Sequence, residues 1–66
     1  MTVGEKVKIY ALEHGVMFKF LAEKAGTTPS KMSLFLNGKR DIGIIEYYNI
    51  CKALDVPMDT FIKEEA

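Results

Sequence analysis

The stretch Gly26-Thr27-Thr28-Pro29 constrains this chain more than any other four residues. Glycine takes the left-handed backbone that closes a helix. A threonine before proline opens one: its hydroxyl accepts from a free first-turn amide, and proline at the first helical position gives up an N–H that had no partner. One helix therefore ends and the next begins within about three or four residues, so the two must cross closely. Leu21, Ala22 and Ala25 share one face before the turn, and Met32 and Phe35 share one after it. Ala22 is small, as a close crossing requires.

Similar signals divide the rest of the chain. Thr2 and Glu5 have the spacing of a capping box. Val3, Val7, Tyr10, Ala11 and His14 then recur at helical spacing up to Gly15, predicting a first helix over about residues 3–14. A second helix is expected from Val16 to Ala25. The third, opened by Thr28-Pro29, stops at Asn37-Gly38, a strong turn pair. After a loop through Lys39 and Arg40, a fourth carries Ile44, Tyr47 or Tyr48, Cys51 and Leu54 on its buried side. Pro57 opens a short fifth, bringing Met58, Phe61 and Ile62 to the core or to a partner. Lys63 to Ala66 read as a solvated tail. The expectation is an all-α, compact five-helix bundle forming a single domain over residues 1–66.

With one cysteine the bundle has no internal disulfide, and 66 residues leave little room for an enclosed catalytic pocket. No apolar run approaches the roughly 20 residues of a membrane span, and the start lacks a leader pattern. A cytoplasmic protein without membrane contact is expected. Cys51 reads as a small apolar residue, His14 as a helix-end residue, and Met17, Met32 and Met58 as packing. No carboxylate pair, metal-ligand spacing or phosphate-cradling glycine loop is present, so no enzyme activity, cofactor or metal is expected.

Formal net charge is zero, but its distribution is uneven. Between Met17 and Arg40, the five cations Lys19, Lys24, Lys31, Lys39 and Arg40 face only Glu23, a net +4. From Asp41 onward, two lysines face six carboxylates, a net −4. A basic middle suits an anionic partner.

The stretch "LAEKAGTTPSKMSLFLNGKR", continued by "YYNICKALDVPMDTFI", resembles the helix-turn-helix domains of the phage Cro/C1-repressor type, the XRE family. Leu21-Ala22, Gly26, Met32, Asn37 to Arg40, Ile50, Ala53-Leu54, Val56 and Phe61 carry the likeness, which covers about residues 7–62. It implies a lambda-repressor-like DNA-binding domain fold. It further implies a transcriptional regulator that binds operator double-stranded DNA as a homodimer, with the recognition helix at about 28–37 in the major groove. By position, Thr28, Pro29, Ser30, Lys31, Ser33 and Leu34 would approach base edges. Lys31 can donate to guanine, and Leu34 can only touch a thymine methyl. Lys19, Asn37, Lys39 and Arg40 would meet phosphates, aided by loop amides. The implied dimer surface is Met58, Phe61 and Ile62 with Ile45.

The chain departs from the family pattern in having Met17-Phe18 where Ser-Gln is usual, and Pro29, Leu34 and Leu36 in normally polar places. Exposed apolar clusters mark protein contacts. The alternative is a helix-turn-helix module that binds another repressor through Phe18, Leu34 and Leu36.

Overall fold

The computed structural model describes residues 1–62; the expected solvated tail, Lys63 to Ala66, lies outside the described residues. Four α-helices follow in order: α1 Val3–Glu13, α2 Phe18–Ala25, α3 Pro29–Leu36 and α4 Ile44–Leu54. A single 3-10 turn, Met58–Thr60, completes them. There is no strand among the described residues. The expected five-helix bundle is therefore a four-helix one.

The helix starts follow from local chemistry. Thr2 Oγ1 accepts from the Glu5 amide at 3.1 Å, and Glu5 Oε1 accepts from the Thr2 amide at 2.8 Å. That second bond holds the Glu5 carboxyl below its ordinary value. α2 begins at Phe18 instead of Val16, because the Val16 amide donates to Ala11 O at 2.8 Å to close α1. Met17 is left as an extended N-cap with no side-chain bond. It is exposed, a correction to its reading as packing.

The fifth helix fails for a tertiary reason. An α-helix running on from Pro57 would need Met58 O to accept from the Ile62 amide. Instead the Tyr47 hydroxyl donates to Met58 O, and the Ile62 amide donates to Asp59 O. Burial pushes the Tyr47 hydroxyl pKa upward, so it stays a donor.

The core is one cluster. Val7, Leu21, Met32, Leu36, Ile50 and Cys51 are fully enclosed, with Phe35, Tyr47, Leu54 and Phe61 nearly so. α2 packs on both α3 and α4, and α1 packs on α3. Of Tyr47 and Tyr48, the first is the core ring and the second faces solvent. Ile44, expected inward, is 74% exposed. As the first residue of α4 it borders an open groove with Val3 and Ile42 instead of lying under a neighbouring helix.

α1 meets the end of α3 closely. A Cβ on Gly4 would lie 1.8 Å from the Phe35 carbonyl oxygen, so the helix backbones touch there. Lys8 Nζ donates to Asn37 Oδ1 at 2.8 Å beside that contact.

α4 ends on Asp55, a non-glycine residue in the left-handed region with φ of 57°. A side chain there is strained, and a carboxylate at a helix C-terminus opposes the dipole. Asp55→Gly is expected to stabilise by about 1 kcal/mol, raising the Tm by roughly 4–8 °C in thermal unfolding followed by circular dichroism. An unchanged or lower Tm would refute this account of the cap.

Candidate nucleic-acid interface

The connection between α2 and α3 is closed as its residues dictate. Gly26 takes φ of 77°, and the Thr27 amide donates to Ala22 O at 3.0 Å. Thr28 caps α3 by accepting from the Lys31 amide at 3.2 Å, and Pro29 stands at the first helical position. The result is two eight-residue helices joined by a three-residue turn and locked by Ala22, Leu21 and Met32 in the core.

α3 is buried on one side only. A helix turns about 100° per residue. Burying Met32, Phe35 and Leu36 therefore aims Ser30 and Leu34 directly away from the core, with Lys31 and Ser33 on the flanks. Thr28, Pro29, Ser30, Lys31, Ser33 and Leu34 are all exposed. Lys19, in the first turn of α2, is exposed too, as are Lys39 and Arg40 just past α3. Exposed cations thus stand on α3 itself, just past its end and in the first turn of α2.

Some expected donors are already engaged. The Asn37 amide nitrogen donates to Ser33 O at 2.9 Å and lies 3.4 Å from Ser33 Oγ, while its oxygen takes the Lys8 ammonium. The backbone amides of Gly38 and Lys39 close α3 by donating to Phe35 O and Leu34 O. These two amides are therefore engaged within the helix end. Arg40 Nε donates to Asp41 O at 3.0 Å, which fixes the guanidinium beside the loop.

This arrangement has a known counterpart. The structure is similar to the N-terminal DNA-binding domain of SinR from Bacillus subtilis, with a TM-score of 0.80 and 30% sequence identity. The match covers 96% of this chain and 93% of that one. The chain belongs to the helix-turn-helix family that includes this SinR domain. No family model and no curated protein sequence matches it. Within the helix-turn-helix, α2 is the supporting helix and α3 the protruding one.

The remaining expected contacts divide by burial. Leu36 is 0% exposed and belongs to the core, one turn on from Met32, so it cannot form part of a protein-binding face. Phe61 is also buried, at 4%, its ring edge-on to Tyr10 at 5.6 Å, so it is not available to a second copy. Ile45 and Ile62 are exposed and Met58 is half-buried. Ile44, Met58 and Ile62 line an apolar groove of about 440 Å³ with Val3, Phe35 and Ile42. Phe18 is half-buried and Leu34 exposed. Among the described residues no group of His, Cys, Asp or Glu could hold a metal ion, and no helix is long and apolar enough to cross a membrane.

Two contacts that hold α3 from behind, Gly4 against Phe35 and Lys8 on Asn37, were not legible in the sequence. The one available signal was Gly4 itself: glycine inside a helix is unfavourable unless something approaches closely.

Proposed function

We propose that this chain is a cytoplasmic transcriptional regulator of the Cro/C1-repressor type, which binds operator DNA as a homodimer with α3 in the major groove. The observation that carries the reading is α3 itself: it is buried on one side, carries exposed Lys31 on the other, and is followed directly by exposed Lys39 and Arg40. The likeness to a DNA-binding domain over nearly the whole chain supports the same reading. On this reading Lys31 meets a base edge, and Lys39 and Arg40 meet phosphates. One domain of this size makes few contacts alone, and pairing supplies a second half-site about one helical turn away. Ile44, Ile45, Met58 and Ile62 are the surface for that pairing. Catalysis, a metal or a cofactor has no part in this function.

The test is a selection from random duplexes followed by titration of the selected site by fluorescence anisotropy. Lys31→Ala is expected to relax base preference at one position of each half-site by about 1–3 kcal/mol. Lys39→Ala and Arg40→Ala are expected to weaken binding to every duplex alike. Unchanged affinity in all three variants would exclude groove docking by α3.

A second reading, a module that binds another repressor, retains Phe18 and Leu34 but loses Leu36 to the core. Exposed Met17, the N-cap of α2, and exposed Phe20 on α2 favour it. It predicts that Leu34→Lys abolishes a protein complex without weakening duplex binding.

A further inference from the structure

We infer that Leu34 is a specificity-determining residue that reads the 5-methyl group of a thymine in each half-site. This rests on the proposed docking of α3 in the major groove and adds to it the chemistry of one base pair.

The argument begins with where α3 places its side chains. Ser30 and Leu34 point straight out from the core, and Leu34 is 47% exposed. Its neighbours on the helix surface, Ser30, Lys31 and Ser33, are polar and exposed. Leu36, the other aliphatic residue of this stretch, is enclosed. On the outer side of α3, Leu34 is therefore a single apolar group among polar ones.

The outward hydroxyl and amide groups of this stretch are few. Thr28 Oγ1 accepts from the Lys31 amide, Ser33 Oγ lies beside the Asn37 amide, and Pro29 has no donor. Ser30 and Lys31 remain as the free polar readers. Base-pair edges in the major groove are donors and acceptors with one exception, the thymine methyl. An isobutyl group pressed against a donor or acceptor would strip its water and return no hydrogen bond. Against the methyl it buries apolar surface on both partners. A helix that presents Leu34 at its outermost point thus selects thymine there by matching the methyl and by leaving the alternatives unpaired.

The experiment uses the full chain and a selected duplex in which each thymine is replaced in turn by uracil, which removes the methyl and keeps every hydrogen-bonding group. For the unchanged chain, one position per half-site is expected to lose about fourfold in affinity, the value of one buried methyl at about 0.8 kcal/mol. Leu34→Ala is expected to bind the thymine and uracil duplexes equally, with its helix content intact because the site is exposed and alanine favours a helix. Leu34→Gln is expected to shift the selected base at that position to adenine, through its N6 and N7. If salt-dependent duplex binding persists but no uracil substitution weakens it, the inference is overturned and the docking reading survives. If the substitution weakens the unchanged chain and Leu34→Ala equally, another residue reads the methyl and the inference is again overturned. If no duplex binds, both fall.

Discussion

Gly4→Ala is expected to destabilise this domain by about 3 kcal/mol, lowering the Tm by roughly 12–24 °C in thermal unfolding. The sign is the informative part. Gly4 lies in the first turn of α1, and alanine is better than glycine inside a helix by about 1 kcal/mol, so local propensity forecasts a gain. Tertiary structure reverses it. The added Cβ would stand 1.8 Å from the Phe35 carbonyl oxygen and 2.7 Å from the Phe35 carbonyl carbon. These are backbone atoms, which cannot swing aside as the tip of a side chain can. Relief requires α1 to lift from α3, opening the core at Val7, Phe35 and Leu36. A domain of this length has only about 3–10 kcal/mol of stability, so the loss is a large share of it. Gly15→Ala is the matched control. Gly15 has φ of +67° but nothing within 4 Å of its hypothetical Cβ, so only the left-handed backbone is strained there, by about 1–2 kcal/mol. If the two variants unfold at the same temperature, helix contact is not what retains glycine at position 4.

That contrast also shows what the sequence could convey. Thr2 with Glu5, and Thr28 with Pro29, act within four residues of themselves, so the starts of α1 and α3 were readable from composition and spacing. The turn at Gly26 and the stop at Asn37-Gly38 were readable for the same reason. The errors occur where a distant residue decides. The Tyr47 hydroxyl takes the Met58 carbonyl and leaves a 3-10 turn where Pro57 had announced a helix. Leu36 stands where the family pattern has a polar residue, yet it shares the helical face of Met32 and is enclosed with it. Lys8 and Asn37 are 29 residues apart, and no local pattern connects them. The same division holds at the interface. The cations beside α3 are visible in the sequence, whereas the hydrogen bonds that engage Asn37, Gly38 and Lys39 exist only once α3 has been closed.

Affinity for duplex DNA is expected to fall about 10³-fold between 50 and 200 mM salt, although the formal net charge of the chain is zero. Each phosphate neutralised releases counterions and contributes about −0.9 to the slope of log affinity against log salt. Lys19, Lys39 and Arg40 from each of two copies would give a slope of about −5.4; one copy alone would give about −2.7 and a fall of about 40-fold. The slope thus reports both the docking face and the pairing of copies. Net charge does not cancel it, because screening confines each charge to its own neighbourhood. The molecule is 34 Å along its longest axis, whereas the Debye length is about 10 Å at 0.1 M salt. Asp55 and Asp59 follow the C-terminal end of α4, whereas Lys31 sits on α3 and Lys39 and Arg40 just past it. Lys39→Ala should reduce the slope of the paired form by about 2, because each copy then neutralises one phosphate fewer. A slope near zero, or one that Lys39→Ala leaves intact, would mean that these cations do not meet phosphates, and the case for α3 as a groove-docking helix would fall with them.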